Sequence, residues 1–243
     1  MEDAVLFSLK GQVAIITMNR PHSLNSMNEA LIDGLHEALT KVEKDPAIKC
    51  AVLTGNGKAF CAGGDLPFLE TLADTAVKKA FITKVGQVAK RITTIEKPII
   101  AMVNGVTAGA GVNLMLACDL IYAVDTAKFA QSFAKVGLIP DCGGLYFLPK
   151  AVGVHKAKEL MFTADLIPAA ELEDAVMQMA ERLAASAPLA IGLIKKYLNN
   201  TAMTLDEVLE MEAVAQPLCM GTDDSAEGIT AFKEKRTPKF TGK

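Results

Sequence analysis

The chain is 243 residues long with a formal net charge of −3, 51% hydrophobic and 22% charged, long enough to bury a sizeable core in one large domain or a domain with an appendage. Its interspersed, near-neutral charge argues against a nucleic-acid or anionic-membrane surface, and no apolar run reaches the ~18 residues of a membrane span. With aromatics at 5% and no tryptophan, the core has to be aliphatic and alanine-rich.

Val5 to Leu9 and Gln12 to Met18 alternate as two strands around a Lys10-Gly11 hairpin turn. Asn19 to Met27 reads as a loop from its Asn, Ser and Pro content. Asn28 is the expected N-cap of a helix reaching Lys44, with Leu31, Leu35, Leu39 and Val42 on one apolar stripe. Ile48 to Thr54 is a buried strand that runs into the glycine-rich stretch Gly55 to Leu66. A helical pattern follows from Leu66 to about Ile95, with a break near Asp74, and stops at Lys97-Pro98.

Pro98 to Val103 reads as another buried strand, ended by Asn104-Gly105. The small-residue loop Thr107-Ala108-Gly109-Ala110-Gly111 then opens into a buried helix from Val112 to Cys118, and Asp119 to Val124 is a third strand. Asp141 sits in a Pro-Asp-Cys-Gly-Gly turn. Beyond it the pattern is helical throughout, at Lys156 to Phe162, Ala169 to Ala185, Pro188 to Asn199, Leu205 to Met220 and Ser225 to Lys235. The unit of strand, glycine loop and helix recurs at 48–66 and 98–118, and the alternation favours an α/β architecture with crossover connections.

The five cysteines (Cys50, Cys61, Cys118, Cys142, Cys219) are odd in number and never form a C-x-x-C pair, and three histidines are too few and scattered for a zinc site. A reducing, cytoplasmic setting is expected, and the acidic start from Met1 to Gly11 has no signal-peptide layout. The basic run that closes the chain (Lys233, Lys235, Arg236, Lys239, Lys243) reads as a solvated tail.

Several catalytic devices are excluded. Gly109-Ala110-Gly111 lacks the third glycine of a dinucleotide loop, Gly57-Lys58-Ala59 is not a Walker loop, and no G-x-S-x-G elbow exists. Two glycine-rich helix starts remain, around Gly64 and Ala110. A helix N-terminus aims free N–H groups at what lies before it, and one N–H from each loop can converge on a single oxygen as an oxyanion hole. That arrangement suits chemistry through an enolate.

Asn19-Arg20-Pro21 with Leu24-Asn25-Ser26-Met27, Lys58 through Leu66, Pro98 through Ala101, Asn104-Gly105, Gly109-Ala110-Gly111, Cys118-Asp119 and Gly137 to Gly144 resemble, in order along nearly the whole chain, the crotonase superfamily, that is, the enoyl-CoA hydratase/isomerase family. The resemblance implies a spiral of β-β-α turns over residues 1–167, helical C-terminal segments over 168–243 that build a homotrimer or a hexamer of two trimers, and an acyl-CoA thioester substrate with no separate cofactor. It implies that the N–H groups of Gly64 and Ala110 hold the thioester carbonyl. Ala62, Gly63, Gly64 and Asp65, with the loop near His22 and Leu24, are expected to cradle the adenine and pantetheine, and Lys58 or tail lysines of a neighbouring copy to meet the CoA phosphates. The carboxylates of Asp65 and Asp119 are expected to satisfy backbone N–H groups.

The chain departs from the hydratase pattern at both acid/base glutamates, whose places hold Asn113 and Phe133. Neither can exchange a proton near neutral pH. Asn113 can instead bond the backbone or the substrate. Some relatives that shift double bonds, or act on aromatic acetyl-CoA derivatives, are similar in placing a carboxylate where Asp141 stands. One carboxylate suffices for isomerisation, and an apolar pocket with Phe133 beside it raises its pKa. The alternatives are a hydratase with an unusual acid/base set, such as Glu70, or a CoA- or RNA-binding relative with little catalysis. Relatives also carry about a dozen further residues between Ile167 and Pro168. These are absent here, as a true deletion or an omitted disordered stretch.

Overall fold

A computed structural model describes residues 3–164, 167–168, 180–181, 183–198 and 205–243. Strands β1 (Val5–Lys10) and β2 (Val13–Met18) form the expected antiparallel hairpin, turning at Gly11 with a φ of +58°. Helix α1 (Glu29–Lys44) starts where expected: Asn28 Oδ1 accepts from Leu31 N at 3.0 Å, and its stripe of Leu31, Leu35, Leu39 and Val42 is buried.

The chain then winds through three β-β-α turns. The first holds β3 (Cys50–Gly55), β4 (Ala59–Cys61), α2 (Leu66–Thr71) and α3 (Thr75–Thr94). The second holds β5 (Ile99–Val103), β6 (Val106–Ala108) and α4 (Ala110–Leu116). The third holds β7 (Leu120–Ala123), β8 (Lys128–Ala130), a 3-10 turn at Ser132–Val136, and helices α5 (Gly144–Val152) and α6 (Val154–Thr163). A two-residue strand, β9 (Ile167–Pro168), and helices α7 (Pro188–Leu198), α8 (Leu205–Met220) and α9 (Asp223–Glu234) complete the described elements.

Each turn contributes one strand to each of two sheets. The large sheet runs β1-β2-β3-β5-β7, parallel from β2 onward, and the small one β4-β6-β8-β9, antiparallel only at its β8–β9 edge. The central strands β3 and β5 of the large sheet read as apolar runs because both faces are covered. Ala51, Leu53, Ile99 and Ala101 pack with the α1 and α3 side chains, whereas Cys50, Val52 and Ile100 face the opposite way, toward Ala180, Leu183 and Ala184. Asp119 serves the sheet as expected, its Oδ2 accepting from Ile99 N at 2.7 Å.

The 66–95 pattern breaks at Asp74 as expected, because Asp74 caps the second of two helices by accepting from Ala76 N and Val77 N. Two features differ from the sequence expectations. The helix after the second glycine loop starts at Ala110 rather than Val112, and α5 has no counterpart in the sequence reading. Of the helix expected over 169–185, residues 169–179 and 182 lie outside the described residues. No helix among the described residues is long and apolar enough to cross a membrane.

Candidate active site

The site is made by the ends of neighbouring short strands. β4 and β6 pair in parallel, Ala59 against Val106 and Cys61 against Thr107, so both leave the small sheet at the same edge, about 4.8 Å apart. β4 delivers Ala62-Gly63-Gly64 and β6 delivers Gly109-Ala110. The two loops touch backbone to backbone: a Cβ on Gly63, whose φ is +96°, would lie 2.9 Å from the Ala108 oxygen and 3.5 Å from the Ala110 nitrogen. Gly109, at φ +50° and ψ −123°, turns the chain from strand into α4 in a conformation that side chains avoid. A Cβ on Gly111 would run into the Cys61 carbonyl, so the first turn of α4 sits directly on β4.

The neighbouring N–H groups are spent. Gly109 N donates to Ala130 O, Asp65 N to Met27 O, and Val112 N and Asn113 N to Gly109 O. Among the described residues nothing accepts from Gly64 N or Ala110 N. Ala110 is the first residue of its helix and only 2% exposed, where a donor without an acceptor is costly. Both N–H groups are open to an acceptor.

A second layer fixes the Gly64 loop. Asn25, fully buried at a φ of +57°, donates to Asn56 O and Ala59 O and accepts from Arg20 N. Leu24 O accepts from Ala62 N at 3.0 Å. Asp65 caps α2 through Phe68 N and pairs with Arg20 at 2.8 Å. His22, Leu24 and Lys58 stay exposed around this corner, and Glu70 is exposed on α2.

Asp141 heads a tight turn. Its carbonyl accepts from Gly144 N at 2.9 Å, and Cys142 (φ +50°) and Gly143 (φ +79°) between them are both left-handed, as in a type I′ turn. Cys142 bears the strain of a side chain in that region. The Asp141 carbonyl also accepts from Asn113 Nδ2 at 2.8 Å, which ties the turn to α4. Of the two uses open to Asn113, the backbone bond is the one observed. Asp141 Oδ1 is buried with no partner, and burial pushes the carboxyl up from 3.8 to about 6. Phe133, 7% exposed, has its ring about van der Waals distance from where a Gly109 side chain would start. The third strand end, β8, supplies Gln131, whose Nε2 donates to Asn113 Oδ1 at 2.7 Å. Sequence reasoning passed over Gln131; its one signal is an amide among Phe129, Ala130 and Phe133.

The structure thus brings the Gly64 and Ala110 loops together, and gathers Asn113 and Asp141 around α4. Arg236 of the basic tail is committed to Glu227 and Glu234.

Residues 8–243 match the family profile for enoyl-CoA hydratase/isomerase. The chain belongs to the enoyl-CoA hydratase/isomerase family. Within that family it is 36% identical to the 1,2-epoxyphenylacetyl-CoA isomerase of Escherichia coli K12, covering 100% of each chain. It is 35% identical to the crotonyl-CoA hydratase of Syntrophomonas wolfei over 98% of each. An enoyl-CoA hydratase crystal structure from a Polaromonas species superposes with a TM-score of 0.93 at 33% identity, covering 98% of this chain and 99% of that one, so the fold is the crotonase fold. The alignment with the E. coli isomerase spans 263 positions against 243 residues here, so it contains gaps on this side.

Proposed function

We propose that this enzyme is an enoyl-CoA isomerase that moves a double bond using Asp141 as its single proton carrier. One observation carries the reading: Asp141 is a half-buried carboxylate with one buried, unpartnered oxygen and a pKa raised to about 6, while the two hydratase glutamate places hold Asn113 and Phe133. The thioester carbonyl of a 3-enoyl-CoA accepts from Gly64 N and Ala110 N. Asp141 takes a proton from C2, the dienolate spreads its charge onto the carbonyl oxygen between the two N–H groups, and Asp141 returns the proton to C4. Ala62, Gly63, Asp65, His22 and Leu24 cradle the adenine and pantetheine, Lys58 meets the CoA phosphates, and Phe133 lines the acyl end. The compartment we infer is a reducing one such as the cytoplasm, since the five cysteines are odd in number and never form a C-x-x-C pair.

Hydration remains the second reading, favoured by the relative named crotonyl-CoA hydratase at 35% identity. Assays of trans-3-hexenoyl-CoA and trans-2-hexenoyl-CoA separate the two. Wild type is expected to convert the first to the second, and Asp141→Asn to lose about 10²–10⁴-fold in kcat, the usual worth of a general base. Wild type that instead hydrates the 2-enoyl thioester faster than it isomerises the 3-enoyl one refutes the isomerase reading.

A further inference from the structure

Asn113 is wholly buried and Gln131 only 4% exposed, yet both are polar; Asn113 reaches the turn that carries Asp141, and Gln131 reaches Asn113. The ends of the chain fix its direction. A main-chain carbonyl only accepts, so Asn113 has to present its NH₂ group to Asp141 O; its Oδ1 then faces Gln131, which has to present its own NH₂ group. The far end shows what this orientation costs, since Gln131 Oε1 is left buried without a partner. Such a cost is tolerated where the geometry it secures is used. A Cβ on Gly144 would collide with the Asn113 amide, so that glycine keeps the path open.

We propose that Gln131, Asn113 and the Asp141 carbonyl form a one-way amide relay, in which Gln131 and Asn113 are positioning residues that aim the Asp141 carboxylate. The turn it grips is strained at Cys142 and closed by one other bond, from Gly144 N. Asn113 anchors it to α4 one helical turn after Ala110. A single short helix therefore sets both a carbonyl-binding N–H and the base, which fixes their separation better than two loops can. The place that resembles a hydratase glutamate thereby acts through hydrogen bonding. The inference rests on the reading of Asp141 as the base.

The test compares Asn113→Leu, Gln131→Met and the double variant on trans-3-hexenoyl-CoA, with binding of saturated hexanoyl-CoA as the control. Each single change is expected to lower kcat at least tenfold, to leave the hexanoyl-CoA Kd within about threefold, and to move the acid limb of kcat/KM below about 6 as the loosened carboxylate meets water. The double variant should be no worse than the poorer single, because one relay is broken once. Among the described residues the titratable groups facing this corner are thiols: burial holds Cys142 well above its ordinary range and pushes Cys61 up to about 12, so neither supplies a charge that moves the limb. An acid limb that stays in place, or losses that multiply, overturns the relay. Should Asn113→Leu not fold, Gln131→Met decides alone by the same limb, since it keeps the size and withdraws the donor without adding a charge. Asp141→Asn run alongside separates the two failures. If it still isomerises, the base reading is wrong; if it is dead while the relay variants are unaffected, only the relay is wrong.

Discussion

Asp141 is charged at neutral pH in surroundings that disfavour the charge. Its folded pKa of about 6 lies above the ordinary 3.8, so folding favours the protonated form. The resulting stability is fully present below the unfolded value and is lost as pH rises through about 6. Above that, burying the carboxylate costs up to about 3 kcal/mol at 1.36 kcal/mol per pKa unit. Asp141→Asn is therefore expected to raise Tm at neutral pH while lowering kcat by about 10²–10⁴-fold, and to leave Tm unchanged below about pH 4; a variant Tm equal to the wild type's at both pH values counts against the burial. For the same reason kcat/KM of the wild type should rise through about pH 6 and level off above it. Ala110→Pro tests the other half of the site. Proline is well tolerated at a first helical position but has no N–H, so unfolding should change little while kcat falls by about 10²–10³, the ~2.7–4 kcal/mol worth of one oxyanion donor. At this scale the sequence was informative where a residue type is itself chemical, as at Asp141 and the two glycine loops. It was silent on Gln131, because an amide shows its use only through the partners that the fold supplies.

Elements matter here chiefly through where their strands stop. β4, β6 and β8 are three residues each, too short to show a period, so the small sheet could not be read from the sequence. Its edge is nevertheless what sets Gly64, Ala110 and Gln131 side by side. The longer members were legible for the complementary reason: α1 shows a full apolar stripe and a capping Asn28, and β3 and β5 are continuous apolar runs because both faces are covered. The contact of α4 with β4 leaves no room for a side chain at Gly111. Gly111→Ala puts a methyl against the Cys61 carbonyl, and is expected to cost about 1–3 kcal/mol in urea unfolding together with a fall in kcat, as the two N–H groups part. Unchanged unfolding would show that α4 can lift from β4 freely.

Across the whole molecule the winding of three β-β-α turns was visible as a repeat at 48–66 and 98–118, and the structure adds the third turn at β7–β8. The family follows from the full-length match; the assembly is a proposal. We infer that the region over 168–243 serves as a trimerisation surface, since Val214, Leu218, Met220 and Ile229 are exposed large apolar residues on α8 and α9. Light scattering is expected to give the mass of three or six chains of 25.8 kDa, and a monomer at assay concentration contradicts this. The central claim concerns the path of one proton, and turnover of trans-3-hexenoyl-CoA in D₂O follows that proton directly. A single shielded carboxylate should yield trans-2-hexenoyl-CoA in which part of the product carries at C4 the protium taken from C2, with Asp141→Asn yielding none. Full deuteration at C4 in the wild type, or a 3-hydroxy thioester as the main product, would contradict a one-carboxylate isomerase.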